Sequence, residues 1–317
     1  MRWLPRALVL LAARANDPPA RGRRGPRRAS RTRAALDNLA RPTSTSAPAV
    51  HPIADPTGLL TNKVTLWRRL AAYYGRDAAS ALAPATYDLS DPSDVELLRA
   101  DHAPGRAYVV KNGTVHGKAG LAFGENLDWV LGAKARGFEV AQVFERDATR
   151  VRGRAFSVRA FVRLACDGAG GVVAGLHREL KCLYGGDAAA AATTNRGSPD
   201  LPLRLADLCA DLDIDDLGGA DPAAVAGAIG AVLGRVVAAA APGLCAGGGP
   251  AARLLGADLL LAGSPKVVEF NAGPRLTPAD RGDFELKRRV VRDFFAAADP
   301  AKRRGDPGAL FARVFPP

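Results

Sequence analysis

Residues 255–274, LGADLLLAGSPKVVEFNAGP, carry the pattern from which this chain is best interpreted. Two apolar runs flank a GSPK segment at residues 263–266, which is typical of an antiparallel β-hairpin. A turn centred on the middle of that segment places Asp258 opposite Asn271. Glu269 shares their face because successive side chains of a strand alternate between its two faces. We therefore predict that three oxygen-bearing side chains converge on one side of an apolar ribbon.

This convergence predicts a metal site formed by Asp258, Glu269 and Asn271. Carboxylates that are buried close together repel each other unless a cation lies between them. Hard oxygen ligands suit Mg²⁺, which usually takes one or two carboxylates together with substrate phosphates. The alternative interpretation is a hairpin with one solvent-exposed acidic face.

The positive charge of the chain is concentrated near its N-terminus. The formal net charge is +12, but residues 1–41 hold eleven Arg and two Asp, so the remainder carries only +3. A nearly balanced folded part argues against nucleic-acid binding as the main function. We interpret residues 1–58 as a basic, largely disordered arm. A nucleic-acid or membrane-surface binder that acts through this arm remains an alternative.

Cysteine spacing and apolar runs predict the cellular environment. Cys166, Cys182, Cys209 and Cys245 show no CxxC motif and no paired spacing, which favours a reduced intracellular protein over a disulfide scaffold. The early apolar run at residues 7–13 is too short to span a bilayer. Together with the nearby arginines it leaves an organelle transit peptide open.

The ordered part begins near Leu59. Thr61 or Asn62 can cap an amphipathic helix, and residues 107–111 (AYVVK) form a strand followed by a glycine-bearing loop at residues 112–120. Loops of this type can fold backbone N–H groups over phosphates. Further strands are predicted at residues 138–144, 155–165 and 171–177. Residues 185–202 are predicted to be a mobile loop, residues 221–242 and 283–298 helices, and residues 299–317 a loosely ordered tail.

The order of these motifs resembles the tubulin–tyrosine ligase-like family, which are ATP-grasp ligases that add amino acids to tubulin and other proteins. The resemblance runs from about residue 59 to residue 298. The matching segments are Thr61-Asn62-Lys63, Pro84-Ala85-Thr86, Tyr108-Val109-Val110-Lys111, His116-Gly117-Lys118-Ala119-Gly120, Gln142-Val143-Phe144, Phe156-Ser157-Val158-Arg159, Arg178 with Tyr184, Thr194-Asn195, and Asp258 with Glu269 and Asn271.

The resemblance implies an α+β ATP-grasp fold, with a smaller lobe at about residues 59–145 and a larger lobe at about residues 146–298. ATP would lie between these two β-rich lobes, and Mg²⁺ would be held by Asp258, Glu269 and Asn271. The resemblance assigns catalytic roles to Arg159, Arg178 and Glu269. It assigns nucleotide binding to Lys111, Gly117, Lys118, Gly120, Gln142, Val143, Phe144, Thr194 and Asn195.

The implied activity is the ATP-dependent ligation of an amino acid to a protein, as in tubulin tyrosination, glutamylation or glycylation. The implied partners are tubulin or another acidic tail and free Glu, Gly or Tyr, with a monomeric, cytoplasmic enzyme associated with microtubules or cilia. Two positions depart from the family pattern, because Ala155 stands in place of a lysine and Ser157 in place of an aspartate. An impaired pseudo-ligase that binds ATP or tubulin without turnover is therefore an alternative.

Overall fold

The structure is a computed structural model that describes residues 58–112, 120–185, 194–196, 200–211, 217, 219–245, 249–298 and 310–316. Only the backbone is described for residues 168, 194–196, 249 and 250. Most of the predicted basic arm lies outside the described residues, as do Gly117 and Lys118 of the predicted phosphate loop.

The described chain forms a mixed α+β structure. The helices are α1 Lys63–Tyr74, α2 Arg76–Ser80, α3 Pro92–Asp101, α4 Leu127–Leu131, a 3₁₀ turn Lys134–Arg136, α5 Leu205–Ala210, α6 Pro222–Leu244 and α7 Arg281–Ala298. The strands are β1 Thr86–Asp88, β2 Tyr108–Lys111, β3 Leu121–Gly124, β4 Val140–Val143, β5 Arg150–Val151, β6 Arg154–Gly168, β7 Val172–His177, β8 Lys181–Gly185, β9 Thr194–Arg196, β10 Gly249–Ala262, β11 Ser264–Asn271 and β12 Phe311–Phe315.

The strands form two antiparallel sheets. The smaller sheet has the order β1-β4-β2-β3, and it covers its own core around Tyr87, Tyr108 and Leu98. The larger sheet runs β11-β10-β6-β7-β12, while β8 pairs with the first half of β6 and β9 pairs with β8. The long strand β6 is therefore the element on which most of the larger lobe is assembled.

The two faces of β6 pack against different helices. Its even-numbered residues, such as Val158 and Val162, pack in the main core together with Leu233 of α6. The opposite face carries Phe161, which is buried against Leu286 and other apolar residues of α7. Helices thus cover both faces of the larger sheet, so the face that holds the arginines of β6 is not a simple solvated surface.

Helix α1 belongs to the core of the larger sheet. Asn62 caps it by accepting a hydrogen bond from the Thr65 N–H at 3.0 Å. Its buried residues Leu66 and Trp67 join the main core, and so does Leu59 just before the helix. Residues 59–145 are predicted to form the smaller lobe, whereas the first helix packs in the main core of the larger one.

Two segments that were predicted to be irregular contain strands. Phe311–Phe315 in the predicted tail forms β12 and pairs with β7, because Phe311 can bury its ring against His177. Thr194–Arg196, inside the predicted mobile loop, forms β9 and pairs with β8. Backbone pairing to an open sheet edge stabilises both segments, and local composition does not reveal it.

Helix α6 is the one helix of the described residues that is long and apolar enough to cross a membrane. Asp221 caps its first turn, and Pro242 lies inside its last turn rather than ending it. Ile229, Leu233 and Val236 are fully buried in the main core. Its apolar character is thus explained by packing against the larger sheet.

The cysteine prediction was wrong, because Cys166 of β6 and Cys245 at the end of α6 form a disulfide. The two residues are 79 positions apart and meet only because α6 packs on the even-numbered face of β6. Cys182 and Cys209 are free and buried. No local spacing can encode a pairing that depends on how a helix crosses a sheet.

We expect that reducing this disulfide lowers the free energy of unfolding by about 2–4 kcal/mol, because the cross-link restricts the unfolded chain. Denaturant unfolding of the full chain with and without reductant measures the difference. As a control, alkylation of the unreduced, unfolded protein should modify Cys182 and Cys209 alone. Modification of all four cysteines would contradict the disulfide.

Candidate active site

The hairpin of β10 and β11 brings its three polar residues together in a register other than the predicted one. Gly263, with a backbone φ of +69°, makes a tight turn that L side chains rarely adopt. The ladder then passes from Leu259–Val267 to Asp258–Glu269, so Val268 is the extra residue of a β-bulge. Asp258 therefore lies opposite Glu269 and not opposite Asn271.

The predicted common face nevertheless forms. Glu269 and Asn271 are two residues apart on one strand, and the amide nitrogen of Asn271 lies 3.4 Å from Asp258 Oδ2 and 3.4 Å from Glu269 Oε1. The amide thus bridges both carboxylates at long hydrogen-bond distance.

Arg159 neutralises Asp258 from the neighbouring strand. The two residues are direct partners in the β6–β10 ladder. Arg159 Nε donates to Asp258 Oδ1 at 2.7 Å, and Arg159 Nη2 donates to Oδ2 at 2.6 Å. Burial raises the pKa of the Asp258 carboxyl even though the guanidinium favours its charged form. Two parallel hydrogen bonds also fix the orientation of both side chains.

Lys63 neutralises Glu269 from the first residue of α1. Its Nζ lies 2.6 Å from Glu269 Oε2, and both side chains are a little over a quarter exposed. Burial alone would raise the pKa of the Glu269 carboxyl, but Lys63 and Lys111 together lower it below its usual value. Lys63 is not among the site residues predicted from the sequence. Its position directly after the capping Asn62, in a matched motif, was the available signal.

Lys111 ends β2 and reaches the same region from the smaller sheet. Its Nζ donates to Gln142 Oε1 at 2.7 Å, and Gln142 Nε2 donates to Thr86 Oγ1 at 2.9 Å. Burial of the ammonium, with a further contribution from Lys63, lowers the pKa of Lys111 to about 8. Glu269 and Asp258 counteract this shift, so all four charged groups lie within electrostatic range of one another.

A cavity of about 360 Å³ lies between the two sheets. Its polar lining includes the candidate site residues Lys111, Gln142, Asp258 and Glu269, and also Glu145, Arg146, Thr149, Arg150 and Ser157. Its apolar lining comes from Val109, Leu121, Phe123, Phe156, Leu260 and Val268. An apolar chamber with a few converging charged groups is the usual form of a small-molecule site.

The segment that we predicted to read adenine lines this cavity, but its donors are already used. Gln142 is buried and its amide is bound to Lys111 and Thr86. The N–H groups of Val143 and Phe144 donate to Ala85 O and Ala107 O, each at 2.8 Å. In this arrangement a bound base would meet the segment mainly through apolar surface.

The remaining predicted residues lie apart from the cavity or cannot be placed. Arg178 is exposed just after β7 and does not line the cavity. Gly120 is buried at the end of the loop, where its carbonyl accepts from the Asn112 N–H at 2.9 Å. Thr194 and Asn195 lie in β9, but their side chains are outside the described residues, as are Gly117 and Lys118.

A second charged cluster adjoins Arg159 and was not found from the sequence. Lys181 of β8 pairs with Arg159 in the ladder on the side away from Asp258. Lys181 Nζ lies 2.6 Å from Asp283 Oδ1, and Lys287 Nζ lies 2.7 Å from Asp283 Oδ2. The i,i+4 spacing of Asp283 and Lys287 on α7 was the only sequence signal. The row across β11, β10, β6 and β8 thus passes from two acidic residues, Glu269 and Asp258, to two basic ones, Arg159 and Lys181.

The candidate metal ligands suit Mg²⁺ by their chemistry. Asp258, Glu269 and Asn271 supply hard oxygen donors on one face, as that ion prefers. Among the described residues, no group of three or more His, Cys, Asp and Glu side chains is placed to hold a metal ion. The candidate site offers two carboxylates, those of Asp258 and Glu269. Its other ligands would have to come from the Asn271 amide, water or a bound phosphate.

Known structures share this architecture. The chain is similar to the C-terminal domain of Pby1 from K. lactis, an ATP-grasp enzyme that interacts with the mRNA decapping enzyme Dcp2. The TM-score is 0.56 at 13% sequence identity, over 81% of this chain and 79% of that one. No protein-family model matches the sequence, and no curated protein matches it either. Two β-rich lobes around a charged cavity, together with this likeness, show that the chain has the ATP-grasp fold.

Proposed function

We propose that this chain is an ATP-dependent ligase that joins an amino acid to a protein acceptor by an amide bond. The acceptor that fits the resemblance best is tubulin or another acidic tail, with Glu, Gly or Tyr as the added amino acid. The observation that carries the proposal is the meeting of Lys111, Arg159, Asp258 and Glu269 beside one interlobe cavity.

The chemistry starts with the attack of a substrate carboxylate on the γ-phosphate of ATP, which releases ADP and forms an acyl phosphate. The amine of the second substrate then attacks the acyl carbon, and inorganic phosphate leaves. Catalysis of phosphoryl transfer rests mainly on positioning and on neutralising the charge of the phosphate oxygens. Lys111 would supply positive charge to the phosphates from the smaller sheet, and Arg159 from the larger sheet.

Asp258, Glu269 and Asn271 would hold Mg²⁺, which would neutralise phosphate charge in both the ground and transition states. Arg159 favours the ionised form of Asp258 and orients its side chain through two hydrogen bonds. The apolar part of the cavity lining would limit the access of water to the acyl phosphate, which would otherwise be hydrolysed.

The direct test is the incorporation of labelled glutamate, glycine or tyrosine into tubulin in the presence of Mg-ATP. We expect label in the protein fraction that depends on ATP and is absent with a non-hydrolysable analogue. Equilibrium dialysis with labelled ATP accompanies the assay. A chain that binds no ATP would contradict the proposed function.

Nucleotide affinity should depend on the protonation of Lys111. The free protein loses this proton as the pH rises through about 8. A bound phosphate stabilises the protonated form of Lys111. The affinity for ATP is therefore highest below that pH and falls above it. We expect ATP to bind about tenfold more weakly at pH 9 than at pH 7.5. In Lys111→Arg the positive charge persists, so the affinity for ATP should be nearly the same at pH 7.5 and pH 9.

A pseudo-ligase is the second candidate, and one structural observation favours it. Ala155 and Ser157 both line the cavity, where the resemblance leads us to expect a lysine and an aspartate. Short side chains there leave the cavity without the two charged groups that the resemblance implies. ATP binding without any incorporation of amino acid would support this candidate over the ligase.

A further inference from the structure

We infer that Lys63 occupies the metal site of the empty protein with its own positive charge and thereby makes divalent-metal binding dependent on nucleotide. This inference rests on the proposed function, since it assumes that Asp258, Glu269 and Asn271 hold the metal of a bound nucleotide. It assigns Lys63 a gating role in the binding of metal, separate from any contact with the reacting atoms.

The first step of the argument is that the site is internally satisfied. Glu269 faces Lys63 at 2.6 Å, Asp258 is held by two hydrogen bonds from Arg159, and the Asn271 amide nitrogen lies 3.4 Å from both carboxylates. Each carboxylate therefore already has a positive or donor group of this chain where a cation would bind. A metal ion must displace one of these groups before it can bind.

Lys63 is the group that can leave at least cost. Arg159 is anchored by two hydrogen bonds between neighbouring strands, and its side chain is 19% exposed against 27% for Lys63. Lys63 makes a single contact to Glu269 from the first residue of a helix, where a flexible side chain can turn toward water. Displacement of Lys63 frees one carboxylate oxygen and leaves the sheet register unchanged.

Charge balance explains why nucleotide is needed. Lys63, Lys111 and Arg159 oppose Asp258 and Glu269, so these five groups carry a formal charge of +1. A free divalent cation would raise this to +3 in a partly buried site, which is unfavourable. A triphosphate brings enough negative charge to compensate both the metal and the lysines. Metal and nucleotide should therefore strengthen each other's binding by the same factor.

The test measures binding of free Mn²⁺ to the full chain, without nucleotide, by electron paramagnetic resonance. We expect weak binding to the wild type and at least about tenfold tighter binding to Lys63→Met, because one repelling charge is removed. Adding Glu269→Gln to that variant should abolish the gain. With ATP present, the wild type and Lys63→Met should differ much less in Mn²⁺ affinity.

Lys266→Met is the matched control. Lys266 also contacts one carboxylate, Glu145, at 2.9 Å with similarly low exposure. Freeing that carboxylate should tighten Mn²⁺ binding much less than Lys63→Met does, because Glu145 is not one of the three candidate metal ligands. Lys63→Gln replaces Lys63→Met if the latter fails to fold.

Equal Mn²⁺ affinity of the wild type and both Lys63 variants would overturn the inference while leaving ATP binding, and hence the proposed function, intact. Failure of the wild type to bind ATP under any metal condition would instead overturn the proposed function, and the inference with it.

Discussion

Glu269→Gln should reduce amino-acid ligation by at least about a thousandfold while the fold persists. Several kcal/mol of transition-state stabilisation depend on a metal held at the phosphates, and each ~1.4 kcal/mol corresponds to a tenfold change in rate. The amide keeps the size of the side chain but loses the charge that would bind the cation. Initial rates of labelled amino-acid incorporation at saturating Mg-ATP measure the effect.

Stability should change little in Glu269→Gln. The Lys63–Glu269 pair is more than a quarter exposed on both sides, so its loss should cost within about 1 kcal/mol. In Glu269→Gln the partly exposed Lys63 side chain can still reach water, so its charge is not left buried. Glu96→Gln is the control, because Glu96 is an exposed side chain of α3 that pairs with Arg99. An unchanged ligation rate in Glu269→Gln would exclude Glu269 as a metal ligand.

Arg159→Met should lower both stability and activity. Asp258 is 9% exposed, and it would lose both of its hydrogen bonds from the guanidinium. Breaking a fully buried pair costs ~3–5 kcal/mol, and because these side chains keep 19% and 13% exposure we expect about 2–3 kcal/mol here. Ligation should fall by at least about a hundredfold, since a fixed positive charge at the phosphates is lost. Denaturant unfolding and the incorporation assay measure the two effects.

The pH dependence of the stability of Arg159→Met tests whether the unpaired charge of Asp258 causes its instability. Burial already raises the pKa of Asp258 above its ordinary value, and loss of Arg159 raises it further. The folded variant then binds a proton more tightly than the unfolded chain, so its stability increases as the pH falls toward the folded pKa. The loss of stability caused by Arg159→Met should therefore be smaller at pH 5 than at pH 8.

A second substitution provides the control. Asp258→Asn added to Arg159→Met removes the unpaired charge and should recover part of the stability but none of the activity. Arg288 forms an exposed pair with Glu285 on α7, and Arg288→Met should leave both stability and ligation activity unchanged. Full stability of Arg159→Met at pH 8 would contradict the buried ion pair.

Local patterns in the sequence predicted most of the elements and the shared face of the hairpin. Alternation along residues 155–165 identified β6, because the strand has one face in the main core. Asn62 predicted the start of α1, since its side chain accepts from a backbone N–H three residues later. Glu269 and Asn271 share a face simply because they are two residues apart on a strand.

Contacts between distant segments were beyond these patterns. The bulge at Val268 places Asp258 opposite Glu269, and only the pairing of β10 with both neighbours reveals it. Lys63 reaches Glu269 across about two hundred residues of sequence because α1 packs against the larger lobe. Its role in the site could not be inferred from a helix start alone.

Local sequence sets which residue types line each strand and helix, because periodicity and capping depend on neighbours within a few positions. The acidic face of the hairpin and the lysine at the end of β2 follow from this local pattern. How the charges pair depends on tertiary packing, since Lys63, Lys111 and Arg159 come from three separate elements. The same holds for the disulfide between Cys166 and Cys245, because its partners meet through the packing of a helix on a sheet.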